Sequence, residues 1–317
     1  MKFSLKVKIL FLFLVFLNPG LNLVKAQISG IYADSSKTAL ILIETKYGPI
    51  KIRLFNQTPL HRDMFLKLAA SGFYDSLLFH RVIDGFMIQG GDPDSRHAKP
   101  GQLLGDGDVV EWQRYDFNTR LFPFAVLFFP HYAWIMPEIN KDIFHKRGML
   151  AAARESDDKN PLKKSSACQF YITMGKGPLS DRDLKLYEYR INKPLRNQLK
   201  DSILNLPTNA VLKKNYEGYK KEKKNDSLLI TEKLLDSLIA PAYEKKPHYT
   251  FSDEQKRVYK KIGGTPHLDN NYTVYGEVIY GMNVVDAIAK VSTDKNDRPD
   301  FDIPMKITIL RKPELNN

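Results

Sequence analysis

Cysteine is nearly missing from this chain. Cys168 is the one cysteine in 317 residues, so neither an internal disulfide nor a cysteine-rich zinc site can be built, and stability has to come from packing. Cys168 itself reads as a small buried hydrophobe. Familiar catalytic signatures are missing too: there is no Gly-x-Ser-x-Gly elbow, no His-Glu-x-x-His, no phosphate-cradling Gly-x-x-x-x-Gly-Lys-Ser/Thr and no dinucleotide glycine fingerprint. The seven histidines stand apart from one another, and the acidic residues near them lack metal-ligand spacing. Hydrolase, kinase and metalloenzyme chemistry therefore start without support.

Apolar residues make up 43% of the chain and charged residues 26%, which excludes global disorder and a multi-span membrane protein. The length suits one large or two ordinary domains. Lysine and arginine outnumber aspartate and glutamate, 48 to 36. Of the resulting +12, a share of +7 falls between Asp181 and Lys261, where 19 basic face 12 acidic side chains. That concentration reads as a solvated helical surface, and no nucleic-acid partner is called for.

Residues 1–26 open with Lys2, Lys6 and Lys8, continue through an apolar run from Ile9 to Leu17, and end with Val24-Lys25-Ala26. This is the three-part composition of an export signal peptide, and the run is about half of the roughly 20 residues that a membrane span needs. The expectation is a mature chain 27–317 without a transmembrane anchor, exported, and periplasmic if the source is a Gram-negative bacterium.

Alternating apolar residues, among them Leu40, Leu42, Ile50, Ile52 and Leu54, predict a hairpin broken near Tyr47-Gly48-Pro49. Thr58-Pro59 gives an N-cap and a proline at the first helical position, followed by Leu60, Met64, Phe65 and Leu68 at helical spacing and a stop at Gly72. Strand-like runs resume at 77–83, 86–89, 148–153, 169–174, 273–278 and 304–310, and 282–291 reads as a second short helix. Many short strands with few helices predict a mainly β fold, closed or nearly closed.

Two stretches depart from that pattern. Residues 179–262 show helical spacing in Leu184, Tyr187, Ile191 and Leu195, and again in Leu228, Leu234, Leu235 and Leu238 before Pro241. Ser252 with Gln255 makes a capping box for a further helix ending at Gly263. The stretch is read as a helical insertion. Residues 109–134 contain the dense apolar segment 121–130, read as a core-covering flap, with a sticky partner surface as the other possibility.

The string Phe79-His80-Arg81-Val82-Ile83-Asp84-Gly85-Phe86-Met87-Ile88-Gln89-Gly90-Gly91-Asp92-Pro93 stands out. Period-two alternation puts Phe79, Arg81 and Ile83 on one face, and Met87 with Gln89 on a face of the next strand. Arg81 alone could satisfy a carboxylate and Gln89 an edge hydrogen bond, and His80 reads as a buried hydrogen-bonding residue. Their weight comes from the whole string.

That string, together with residues 148–154, 166–172, 267–276 and 281–286, resembles the cyclophilin family of peptidyl-prolyl cis-trans isomerases, in ordered blocks spread over about half the chain. The resemblance implies an eight-stranded antiparallel barrel capped by two helices, here carrying the inserted α-helical element. It implies Arg81 as the catalytic arginine, with Phe86, Met87 and Leu268 lining a proline pocket and Gln89 binding the substrate backbone. Ala153 and Arg154 fall on the strand that pairs with the peptide, Arg154 in place of the asparagine of many relatives. Gln169 is the family's second glutamine. Tyr171 stands where phenylalanine is usual, bringing a hydroxyl that needs a partner. His267 replaces a tryptophan and Tyr272 a histidine, so cyclosporin-type inhibitors are expected to bind weakly. Implied partners are proline-containing peptides and unfolded exported proteins, and no metal or cofactor is needed. A peptide-binding chaperone or scaffold with little turnover is the alternative.

Overall fold

The computed structural model describes residues 38–109 and 134–310. The expected export signal at 1–26 and the apolar segment 121–130 lie outside the described residues.

The hairpin forms as β1 (Leu40–Thr45) and β2 (Gly48–Leu54). Ile50, Ile52 and Leu54 turn into the core while Lys51 and Arg53 turn out, which is the alternation a half-buried strand requires. Helix α1 (Pro59–Ala70) buries Phe65, Leu66 and Leu68 and ends at Ser71, followed by Gly72 at φ +72°. Its expected cap is corrected: the Thr58 side chain makes no cap bond. Glu138 takes that role instead, accepting from the N–H groups of Leu60 and His61, both at 3.0 Å, and lying 2.7 Å from His61 Nδ1. A carboxylate placed there meets the unpaired donors and the positive end of the helix dipole.

Six more strands complete the large sheet: β3 (Phe79–Ile83), β4 (Met87–Gly90), β6 (Met149–Ala152), β8 (Phe170–Thr173), β9 (Val274–Tyr280) and β10 (Lys306–Leu310). The short pair β5 (Trp134–Ile135) and β7 (Ser165–Ser166) lies apart from it. The eight strands run in the order β10-β1-β2-β9-β6-β8-β4-β3, all antiparallel. Its two edges meet: the Phe79 N–H donates to Ile303 at 3.0 Å and the Met305 N–H to Leu77 at 2.8 Å, so the sheet curls round on itself. The interior holds one large apolar core, into which α1 and α7 (Met282–Ala289) press Phe65, Val284, Val285 and Ile288.

The stretch 179–262, expected to be an insertion, holds α2 (Asp181–Ile191), α3 (Lys193–Leu204), α4 (Ala210–Lys221), α5 (Asn225–Glu244) and α6 (Asp253–Ile262). The spacing through Leu195 suggests one helix, but the chain breaks at Asn192 because Pro194 has no N–H to continue the ladder. Pro241 does not end α5, since it sits in the last turn where few bonds are left to lose. Leu179, Leu184, Phe251 and Tyr259 form one small core beside the barrel, and Leu204, Tyr216 and Leu235 form a second further along the stretch. Among the described residues no helix is long and apolar enough to cross a membrane.

Candidate functional site

The barrel's strand register builds the site. Arg81 on β3 faces Gln89 on β4, Gln89 faces Tyr171 on β8, Tyr171 faces Ala151 on β6, and Ala151 faces Val274 on β9. Directly paired residues project to the same side of a sheet, so one row carries a cation, an amide, a phenol and two small apolar groups along a single face. A β-bulge between Phe79 and Arg81 breaks the alternation expected for β3. Phe79 therefore drops into the barrel core with Val82, while Arg81 and Ile83 remain on the outer face.

Outside the barrel, Met87, Met149, Ala151, Tyr171, Leu268 and Val274 form a second apolar cluster, flanked by Ile83, Phe86, Ala153 and Tyr272. It floors an open cavity of about 390 Å³. Arg81, Phe86, Met87, Gln89, Ala153, Arg154, Gln169, Tyr171, Leu268 and Tyr272 all line this cavity. His267 does not. It lies behind the wall, its ring 5.2 Å from Phe86 on one side and 5.8 Å from Tyr187 of α2 on the other. Burial, then His145 and Arg190, push its pKa down to about 4.

Arg81 keeps much of its side chain in solvent, 42% exposed, with Nε 3.4 Å from Asp297. An exposed pair at that distance holds the guanidinium only weakly. Arg154 is tied down at every nitrogen, to the Asn271 and Glu155 carbonyls at 2.9 and 2.7 Å and to Asp157 at 2.7 Å, and its guanidinium sits 4.3 Å from the Tyr272 ring centre. It braces the rim. The N–H and C=O of Ala153 are already bonded to Gln169 and Ser166, at 3.0 and 2.8 Å.

The two glutamines form an ordered chain. Gln169 Nε2 donates to the carbonyls of Gly105 and Gly107, at 2.8 and 2.9 Å, so its Oε1 must be the acceptor for Gln89 Nε2 at 3.2 Å. The Gln89 carbonyl oxygen is thereby the free end of the chain.

The Tyr171 hydroxyl finds its partner in His145, 3.0 Å away, and His145 Nδ1 is 2.9 Å from Asp269. Burial lifts the Tyr171 pKa well above the usual tyrosine value, with Tyr272 and Asp269 adding to it, so the phenol stays a donor. His80 is buried as expected, and its ring meets the Leu78 backbone, with no well-formed hydrogen bond among the described residues. Burial, with Arg81 beside it, takes its pKa down to about 4. Cys168 is buried and inert, its thiol pushed up to about 12.

Sequence reasoning missed Asp106, Asp108, Trp134 and Glu155 in the cavity wall, and His145 behind it. Alternating glycine and aspartate at 105–108 marked a loop without showing where it folds. His145 carried no local signal, because its partners lie 26 and 124 residues away.

The family model described as cyclophilin type peptidyl-prolyl cis-trans isomerase/CLD matches residues 40–189 and 249–309, more than half of the chain. Peptidyl-prolyl isomerase cwc-27 of Neurospora crassa is 35% identical over 159 residues, covering 47% of this chain and 27% of that protein. Peptidyl-prolyl cis-trans isomerase CYP18-1 of Arabidopsis thaliana is 34% identical over 140 residues, covering 44% of this chain and 67% of that protein. The crystal structure of a Cryptosporidium parvum cyclophilin type peptidyl-prolyl cis-trans isomerase has a TM-score of 0.46 at 19% identity, covering 87% of this chain and 100% of that one. The chain spans about a quarter of the length of the fungal cwc-27 relatives.

These relatives correct one expectation. Isomerases named cwc27 from Neurospora crassa, Gibberella zeae, Rhizopus delemar and Aspergillus fumigatus match the chain, and none carries a name pointing to export or a periplasm. The reading of an exported, periplasmic protein is withdrawn. Strand register, apolar cleft and family model converge on one conclusion: the chain belongs to the cyclophilin-type peptidyl-prolyl cis-trans isomerase family.

Proposed function

We propose that this chain catalyses rotation about X-Pro bonds in peptides bound in the cavity beside β3, β4 and β8. The observation that carries the reading is Arg81, a mostly unrestrained guanidinium at the mouth of an apolar cleft floored by Met87, Tyr171 and Leu268. Resonance in the amide raises a barrier of about 18–20 kcal/mol, and unaided rotation takes on the order of tens to hundreds of seconds. As the bond twists, the prolyl nitrogen regains a lone pair and becomes a hydrogen-bond acceptor. Arg81 would donate to it in the twisted state and to neither planar isomer, which is the differential binding that catalysis requires. Its charge is permanent, so the donor is present at any working pH.

The proline ring would sit against Phe86, Met87 and Leu268 while the preceding carbonyl swings. Gln89, held by Gln169, would present its carbonyl oxygen to a peptide N–H. Among the described residues the Arg154 backbone makes no hydrogen bond to other backbone, which leaves it to pair with the peptide where Ala153 has no N–H to spare. An acceleration near a millionfold would need about 8 kcal/mol, and no nucleophile is required for it.

The test is a proline-isomerisation assay on a short X-Pro peptide with Arg81→Ala as the variant. Loss of one preorganised donor is expected to lower kcat about 10²- to 10³-fold, with peptide affinity changed far less. Binding with no turnover in the wild-type chain would favour a peptide-binding module instead, and activity unaffected by Arg81→Ala would remove the assigned role.

A further inference from the structure

The Tyr171 hydroxyl is one end of a buried polar chain whose other end belongs to the helical segment ending in α6. Behind it, His145 and Asp269 are 1% and 2% exposed. Asp269 Oδ1 accepts both the backbone N–H of His145, at 2.8 Å, and the ring Nδ1–H, at 2.9 Å. Its Oδ2 accepts the hydroxyls of Tyr259 at 2.7 Å and Tyr249 at 3.1 Å. Gln255 Nε2 donates in turn to the Tyr249 hydroxyl at 2.9 Å. Tyr249, Gln255 and Tyr259 all come from residues 249–262, where the helical stretch returns to the barrel through α6, within the part of the chain that the family model matches.

The chemistry of this chain leaves little freedom. Among the described residues no lysine or arginine pairs with Asp269, and its carboxyl group is met by four donors. The carboxylate fixes the ring proton of His145 on Nδ1, which leaves Nε2 to accept from the Tyr171 O–H. Loss of the tyrosine donors would leave Oδ2 unsatisfied, and the carboxylate would turn to recover a partner. His145, bonded to it twice, would turn with it, and the pocket floor would lose its anchor. A second contact runs parallel: Phe86 in the cavity wall, His267 and Tyr187 of α2 form a continuous ring stack.

We infer that His145 and Asp269 are positioning residues through which the helical segment ending in α6 sets the geometry of the pocket floor, so that docking of that segment and peptide binding are thermodynamically linked. Linkage works in both directions, so a bound peptide would also tighten that segment. The kinetic part of this inference rests on the proposed isomerase reading. The linkage between floor and helical segment does not.

The experiment is a double-mutant cycle in the full chain. One arm is Tyr171→Phe, the other Tyr249→Phe with Tyr259→Phe, and all changes are isosteric. Each variant is read by KM and kcat on an X-Pro peptide and by hydrogen exchange of the amides in residues 181–262. The tyrosine pair at 249 and 259 should raise KM about three- to tenfold with kcat nearly unchanged, and should have little further effect once Tyr171→Phe is in place. Tyr171→Phe alone should speed exchange in α6, far from the pocket mouth. A purely structural role would lower the melting temperature in both arms while KM effects multiply independently, and that outcome overturns the linkage. If the wild-type chain shows no turnover, the proposed function falls while exchange still decides this inference: unchanged protection of α6 in Tyr171→Phe would overturn it.

Discussion

Gln169 holds Gln89 by an amide-to-amide hydrogen bond of 3.2 Å, and the direction of that bond is dictated from behind by two glycine carbonyls. Those carbonyls can only accept, so Gln169 must aim its amide nitrogen at them and its oxygen at Gln89. Gln169→Glu keeps the shape and removes both donors, placing a carboxylate oxygen against two carbonyls. The loop around 105–108 should lift from the cavity wall, while Gln89 keeps its acceptor in the carboxylate. The expected result is a rise in KM of about tenfold, equal to roughly 1.4 kcal/mol of lost hydrogen bonding, with a small change in kcat. A large fall in kcat at constant KM would show that Gln169 acts in the twisted state and not in binding.

Much of this arrangement is legible in the chain alone, for a physical reason. Strands whose two faces see different environments alternate strictly, so residues such as Ile50, Ile52 and Leu54 announce both their element and their inward face. The cavity residues are legible only through the resemblance to the cyclophilin family, because the register that brings Arg81, Gln89 and Tyr171 level on separate strands leaves no signal in alternation. What alternation cannot encode is the bulge at His80, which sends Phe79 and Arg81 to opposite sides of the sheet. Contacts between segments far apart leave no local trace either, as with Glu138 capping α1 and His145 meeting Tyr171. Helix α4 brings only Tyr216 and Leu212 to the small core it packs on, so few apolar residues mark it. The first 26 residues have the composition of an address label, and composition alone does not survive comparison with the relatives.

The seam where the helical stretch returns to the barrel depends on Gly264. Its backbone bridges to both Lys146 and Lys176. A Cβ there would stand 2.3 Å from the His145 carbonyl oxygen and 2.8 Å from the Tyr259 ring, at a φ of +148°. Backbone cannot yield as a flexible side chain does, so Gly264→Ala should destabilise the protein by about 3 kcal/mol, measured by thermal or urea unfolding. Gly218 provides the contrast. It lies within α4 with open space around it, and Gly218→Ala should stabilise by about 0.5–1 kcal/mol through helix propensity. Equal effects of the two substitutions would contradict the seam's tight packing.

Acid should weaken the fold through His80 before it reaches most carboxylates. The folded-state pKa is down at about 4, against an ordinary histidine value of 6.5. Between those two values the unfolded chain binds a proton that the folded protein refuses, so stability rises with pH across this window and is lost as pH falls through it. At pH 5 the loss from this residue alone should be about 2 kcal/mol relative to pH 7. His267 shifts the same way but is only partly buried and should contribute less. Glu138 and Glu277 act later: burial opposes their ionisation, but hydrogen bonds from His61 and from Arg53 and Lys146 hold both below the usual glutamate value, so their contribution disappears at lower pH. His80→Leu removes the titrating ring from a buried position. Its stability at pH 7 should match or exceed that of the wild type, and the slope between pH 7 and pH 5 should flatten markedly. Unfolding curves that keep the wild-type slope in His80→Leu would place the acid sensitivity elsewhere.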